Sequence, residues 1–405
     1  MFFSDRILAR TLYAFRANLY GLLSSVASVS GIRKHSQSQA CLSSGSISND
    51  EIIGLPTEPQ DTPVNHMSIR IAINGYGRIG RCILRALYES GFRRKLQIVA
   101  INELSSLSSL IHLTRFDSTH GRFSGTVEEV EGGIRVNGDE IAVFSHRNID
   151  DLDWESLDVD IVFECSGRYC ERSTAQQHIN RGASRVIFSS PATREVDATI
   201  VYGFNEHTLR KAHTIISNAS CTTNCSAHII DLLDNHFGIE QGHITIVHSS
   251  MNDQPVIDAY HNPDLRKSRS SSTSIIPVST GLALGIERLF PHLSGRFEAV
   301  SLRVPTTNVS LMQLNVNVSE KASRSGVNNL IKEKANGVLA GVLEYTELPL
   351  VSCDFNHNPS SAIIDGSQTL VARQRLVTVI AWFDNEWGYS NRMLNTAIAL
   401  MEAEC

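Results

Sequence analysis

Three glycines in Gly75-Tyr76-Gly77-Arg78-Ile79-Gly80 constrain this chain more than any other feature. They fall between an alternating apolar run, Ile69, Ile71 and Ile73, and a helically spaced one, Ile83, Leu84, Ala86 and Leu87, that stops at Gly91. Period-two alternation reads as a strand and i, i+3, i+4 spacing as a helix. A strand that feeds a helix through G-x-G-x-x-G suits a dinucleotide. Gly75 permits the tight turn, Gly77 lets backbone approach a pyrophosphate, Gly80 lets helix and strand pack closely, and the free N–H groups of the helix start attract the anion. The six-residue pattern alone is weak. A second apolar run, Leu96 to Ile101, ends at Asn102 and Glu103, where an acid can bond an adenosine ribose hydroxyl and repel a 2′-phosphate. NAD is therefore expected rather than NADP, and an ordinary glycine turn beside a surface Glu is the bland alternative.

A further strand pattern runs from Asp160 to Cys165 into Ser166-Gly167. Alternating strands and helices predict an α/β, Rossmann-type doubly wound parallel sheet over residues 68–220. Past residue 240 the chain becomes strand-rich, with His243–His248, Glu298–Val304, Ser310–Val318 and Leu376–Phe383. That predicts a second, α+β catalytic domain over 221–384 with a largely antiparallel sheet. A C-terminal amphipathic helix in Asn391–Met401 is expected to complete the first domain with residues 385–405. A length of 405 residues exceeds what one core usually serves.

Residues 1–67 differ from the rest. Arg6, Arg10, Arg16, Arg33 and Lys34 face only Asp5 across the first forty residues, in a Ser-rich setting, and an acidic, Pro-containing stretch follows from Asn49 to Asn65. They read as an N-terminal extension, a disordered tail or a mis-assigned start with Met67 before the first strand; a targeting leader is the other reading.

A formal charge of −6 argues against wholesale binding to nucleic acid or an anionic membrane. No stretch approaches the roughly 20 apolar residues that span a bilayer. The eight cysteines make no disulfide framework, which fits a reducing compartment, and no second Cys/His pair completes a metal site, so no metal is expected.

The segment Ser217-Asn218-Ala219-Ser220-Cys221-Thr222-Thr223-Asn224-Cys225 precedes Ile229, Ile230, Leu232, Leu233 and Phe237, with Gly238 closing the run. A helix should start near Cys221. A thiol at a helix N-terminus is favoured as thiolate, and an imidazolium nearby brings its pKa below 7. His248, ending the strand His243–Val247, is the candidate base, although spacing alone singles it out poorly among fifteen histidines. Cys225 reads as a small helix-face residue. A catalytically idle NAD-binding protein would need neither Cys221 nor His248.

With Leu302-Arg303-Val304-Pro305-Thr306 and Trp382-Phe383-Asp384-Asn385-Glu386-Trp387-Gly388-Tyr389, these segments resemble the phosphorylating glyceraldehyde-3-phosphate dehydrogenase family, from about Ser68 to Met401. The most specific motif is Ser-Cys-Thr-Thr-Asn-Cys, followed 27 residues after its first Cys by His248. The resemblance implies a cytoplasmic homotetramer acting on a phosphorylated aldose. Cys221 would attack the aldehyde, His248 take its proton, and Asn385 hold the nicotinamide amide with Tyr389 beside it. Cofactor contacts would come from the glycine loop (Gly75, Tyr76, Gly77, Arg78, Ile79, Gly80), Glu103 and Ser166. Arg269 and Arg303 would grip substrate phosphate. Ser220, Thr222, Thr280 and Gly281 match positions that hold inorganic phosphate in the glycolytic branch.

Residues 252–261, 345–352 and 354–357 are similar to the erythrose-4-phosphate dehydrogenase branch. Met251 stands where the glycolytic enzymes carry a Thr that bonds substrate phosphate, and a thioether cannot donate a hydrogen bond. The resemblance thus implies oxidation of D-erythrose 4-phosphate to 4-phosphoerythronate, on the route to pyridoxal phosphate, with glyceraldehyde-3-phosphate dehydrogenase as the alternative.

Overall fold

The structure is a computed structural model that describes residues 68–260 and 264–403; the N-terminal extension lies outside the described residues. The described chain is a compact unit built on two large sheets.

The first sheet contains β1 (Ile69–Asn74), β2 (Leu96–Asn102), β5 (Val127–Val130), β6 (Gly133–Val136), β7 (Asp139–Phe144), β8 (Ile161–Glu164), β9 (Arg185–Phe188), β10 (Ala198–Thr199) and β11 (Ile215–Ser217). A short hairpin of β3 (Phe116–Asp117) and β4 (Gly121–Arg122) stands apart. The order is β10-β11-β9-β8-β1-β2-β7-β6-β5, parallel except where β6 pairs β5 and β7. The order in which strands are added reverses at β1, since β2 lies on one side and β8 on the other, both parallel to it. In such sheets ligands bind at the carboxyl ends beside that switch point. Helices α1 (Arg78–Glu89), α2 (Leu107–Arg115) and α3 (Arg172–Asn180) connect the strands. In β1, Ile71 and Ile73 enter one apolar core and Ala72 the other, so the strand is covered on both faces.

The second sheet holds β12 (Ile239–His248), β13 (Ile276–Val278), β14 (Phe297–Arg303), β15 (Ser310–Val318), β16 (Leu343–Thr346), β17 (Ala362–Asp365), β18 (Leu370–Ala372) and β19 (Leu376–Phe383). Its path is β13-β14-β12-β15-β19-β17-β16, with β18 on β19. Most pairings are antiparallel, but β12 runs parallel to β14 and β16 to β17. In β15 the alternate residues Met312, Leu314, Val316 and Val318 are fully buried against α4 (Cys221–Phe237), α5 (Leu282–Leu289) and α6 (Arg324–Ala335). The residues between them are half-buried.

Two segments run longer than the sequence pattern predicts. β12 starts at Ile239 rather than His243, because β15 pairs with it back to Val318. The last helix, α7 (Trp387–Glu402), starts four residues before the predicted Asn391. Asp384 Oδ1 accepts from the N–H groups of Glu386 at 3.0 Å and Trp387 at 2.8 Å, serving donors that a helix start leaves open. Trp387, Met393, Leu394, Ala397 and Leu400 of α7 pack in the same core as Ile83 and Leu84 of α1.

Candidate active site

The glycine loop lies at the carboxyl end of β1. Gly75 has φ +92, a conformation that side chains strain, and a Cβ there would sit 2.5 Å from the Ser166 backbone. A Cβ on Gly80 would lie 2.5 Å from the Gly75 carbonyl oxygen, so that glycine sets how closely α1 approaches β1. A Cβ on Gly77 would meet nothing within 4 Å. Gly77 is also the N-cap of α1 and offers no side-chain cap, leaving the first-turn N–H groups available on an open face. These features fit a pyrophosphate. Glu103 directly follows β2 beside them: its carboxylate accepts from Tyr76 N at 3.0 Å and Ser105 N at 3.1 Å, and it lines one groove with Gly75, Gly77 and Ser166.

Of the loop residues named from sequence, Tyr76 and Arg78 turn their side chains elsewhere. Tyr76 is buried with its hydroxyl 3.0 Å from Thr114 Oγ1, and Arg78 pairs with Asp117 and Glu386. Ile79 packs on the core of the first sheet. What these three can offer a dinucleotide is backbone.

The second constellation gathers where the second sheet meets the start of α4. Ser220 caps α4, its Oγ accepting from Thr223 N at 3.1 Å, and Cys221 is the first residue of the helix. Ala219, just before the cap, is held at φ +55, a left-handed setting that costs an alanine energy. The Tyr389 hydroxyl donates to its carbonyl at 3.1 Å and steadies that bend. His248 ends β12, and Arg303 ends β14 in register with it. Cys221 Sγ lies 3.9 Å from His248 Nε2, at the long end for a hydrogen bond to sulfur.

His248 Nδ1 has two neighbours, Ser249 O at 2.8 Å and Arg303 Nη1 at 2.9 Å. Only the tautomer that donates from Nδ1 to Ser249 leaves Nε2 free to accept the thiol proton. Burial pushes the Cys221 thiol up to about 11, against the downward pull of Arg303 and the N–H groups of Thr222 and Cys221. Burial, then Arg303, pushes His248 down to about 4. Burial thus works against the thiolate–imidazolium pair expected from sequence, while the helix start and Arg303 work in favour of the thiolate.

Asn385 follows β19. Its Oδ1 accepts from Ser249 Oγ and Ser310 Oγ, both at 2.9 Å, which fixes the carboxamide plane. Among the described residues its Nδ2 has no hydrogen-bond partner. Sequence reading missed both serines, whose role depends on β12 and β19 ending where β15 begins.

Ser220, Thr222, Thr280 and Gly281 line one cavity of about 520 Å³, together with Arg194 and Arg288, which sequence reading did not single out. Arg269 is not part of it. Its exposed guanidinium pairs with Asp258 at 2.9 Å in the loop after β12. Met251, in that loop, is 44% exposed. Among the described residues Cys82, His120 and Glu386 bring ligand-type atoms within 4.8 Å of one another. The Arg78 guanidinium already sits on that carboxylate.

Fold and site together define a class: an NAD-dependent dehydrogenase with a Rossmann-type sheet and a thiol beside an imidazole. Residues 69–172 match the glyceraldehyde 3-phosphate dehydrogenase NAD binding domain, and residues 220–385 match the glyceraldehyde 3-phosphate dehydrogenase C-terminal domain. These two domains cover more than half of the chain, and the chain belongs to the glyceraldehyde 3-phosphate dehydrogenase family.

Proposed function

We propose that the chain oxidises D-erythrose 4-phosphate to 4-phosphoerythronate through a thioester on Cys221, as a cytoplasmic homotetramer on the route to pyridoxal phosphate. The cofactor domain is residues 68–220, completed by 385–405, and the catalytic domain 221–384. The observation that carries the chemistry is the 3.9 Å approach of Cys221 Sγ to His248 Nε2 at the mouth of α4.

The thiol proton passes to Nε2 and sulfur bonds to the aldehyde carbon. Bound NAD supplies the hydride acceptor. The imidazolium formed beside Arg303 returns that proton to the alkoxide oxygen, and Nε2 takes it again as hydride leaves the hemithioacetal carbon and the thioester carbonyl forms. Water then adds to the thioester carbon, the C–S bond breaks, and Cys221 regains a proton. Asn385 orients the carboxamide end of the cofactor from a plane held by Ser249 and Ser310.

Met251 in place of a hydroxyl donor and the tetrose-branch resemblance of residues 252–261 and 345–357 favour the longer sugar. Glyceraldehyde 3-phosphate oxidation is the second reading, favoured by the single cavity that Ser220, Thr222, Thr280 and Gly281 share. The measurement is kcat/KM for both aldehydes, with and without inorganic phosphate. A tenfold or greater preference for the tetrose is expected; the same preference for the triose, with a phosphate requirement, overturns the first reading.

A further inference from the structure

The cavity beside Cys221 carries more positive charge than its backbone and hydroxyl groups alone would give it. Arg288, on α5, donates from Nη1 to Ala192 O and to Thr199 Oγ1, each at 2.9 Å. Both acceptors are neutral. Among the described residues its Nε and Nη2 have no hydrogen-bond partner, and neither Arg288 nor Arg194 forms an ion pair. No carboxylate lines this cavity among the described residues. Burial and the neighbouring Arg194 together hold the Arg288 pKa below its ordinary value, the sign of two cations facing each other without compensation. The same cavity is lined by three hydroxyl side chains, Ser220 and Thr222 at the start of the helix that carries the nucleophile and Thr280 just before α5.

A cavity with two uncompensated guanidiniums, hydroxyl donors and a helix start is matched to a small dianion. We propose that Arg288, assisted by Arg194, is the specificity-determining charge of this cavity and sets its affinity for a phosphate dianion. Arg288 is a fixed fork, anchored by Ala192 and Thr199, whereas Arg194 is exposed and adds field from the rim. The same dianion chemistry has two sources: free inorganic phosphate, or the terminal phosphate of the aldose. Where the source is inorganic phosphate, one of its oxygens adds to the thioester carbon and the C–S bond breaks. The proton of the monohydrogen phosphate ends on sulfur, so the products are an acyl phosphate and the Cys221 thiol, with no change of oxidation state. The proposal rests on the thioester reading above and deepens it.

The probe is inorganic phosphate and the first readout is protection of Cys221 from iodoacetamide, followed by mass spectrometry of the alkylated full-length protein. Half-protection in the unaltered protein is compared with Arg288→Met, Arg288→Lys and Arg194→Ala, each checked by thermal melting. Half-protection should need at least tenfold more phosphate in Arg288→Met, a smaller increase in Arg194→Ala, and close to the original concentration in Arg288→Lys. KM values then separate the sources. A raised KM for phosphate at little-changed kcat assigns the cavity to the acyl acceptor; a raised KM for the aldose phosphate assigns it to the substrate. Folded Arg288→Met and Arg194→Ala proteins with unchanged protection and unchanged KM for both would overturn the proposal. A chain that yields no NADH from either aldose, yet shows charge-dependent protection, refutes the dehydrogenase reading and leaves the dianion site standing.

Discussion

The two halves of the site are made of different material. The cofactor groove is built from backbone: Gly75, Gly77 and Gly80 act through the atoms they lack, and Glu103 holds the loop by accepting from the Tyr76 N–H. The thiol site is built from side chains brought in by chain segments far apart: Cys221 on α4, His248 and Arg303 at neighbouring strand ends, and Asn385 after β19. Geometry written in backbone is insensitive to pH and intolerant of bulk. Geometry written in titratable side chains tolerates changes of shape better but is governed by burial and nearby charge. Each half should therefore fail in its own way.

The largest effects belong to the side-chain half. Cys221→Ser removes the sulfur placed beside His248 to form the thioester and should lower NADH production on the order of 10³-fold or more, with the pre-steady-state burst lost. A serine variant that kept the burst would place the nucleophile elsewhere. His248→Asn should cost roughly 10²- to 10⁴-fold in kcat, since it removes the proton acceptor, while NAD affinity measured by fluorescence titration changes little. Loss of NAD affinity comparable to the loss of kcat would mean that the two halves are not separable.

This division also explains what could be read from the chain. The strand-turn-helix of residues 69–89 and the helix beginning at Cys221 are local patterns, and the structure has both. Ser310–Val318 and Leu376–Phe383 come out with the predicted bounds because each alternates cleanly against one core. The start of α7 was not legible, since its cap is a side chain inside a motif read for chemistry rather than for structure. Arg288 and Arg194 were invisible for another reason. A cation on a helix or in a turn is ordinarily solvated, and only the fold shows that these two share a cavity that no carboxylate lines among the described residues. The balance at Cys221 was only half legible, because the local features, a helix start and a nearby imidazole, favour thiolate, whereas the desolvation that opposes it depends on the whole fold.

In the backbone half the comparison can be sharpened by two alanines. Gly75→Ala must place a Cβ 2.5 Å from Ser166 backbone atoms at φ +92. It should destabilise the protein by about 2–3 kcal/mol or more, read as a lower denaturation midpoint. Gly77→Ala meets no atom within 4 Å and has φ −74, so stability should stay within about 0.5 kcal/mol. Its effect should instead fall on NAD, with Kd rising roughly tenfold, or ~1.4 kcal/mol. If Gly77→Ala bound NAD as tightly as the unaltered protein, the open face over Gly77 would not be where the pyrophosphate lies.

The smallest effect tests the electrostatic half through its pH dependence. With Cys221 pushed up to about 11, the thiolate fraction should be roughly one in a thousand at pH 8 and rise tenfold per pH unit. Alkylation by iodoacetamide should follow that slope, without a plateau between pH 6 and 9. Arg303 lowers the Cys221 pKa, so Arg303→Gln should raise it further and slow alkylation several-fold at pH 8, whereas Arg303→Lys should slow it less. His248 does not confuse the sign. Arg303 also lowers its pKa, so the substitution moves His248 from about 4 back toward its ordinary value near 6.5, and at pH 8 the imidazole is neutral in both proteins. A rate plateau below pH 7, or faster alkylation in Arg303→Gln, would mean that the thiol is already ionised at rest and that helix start and imidazole, rather than burial, control the sulfur.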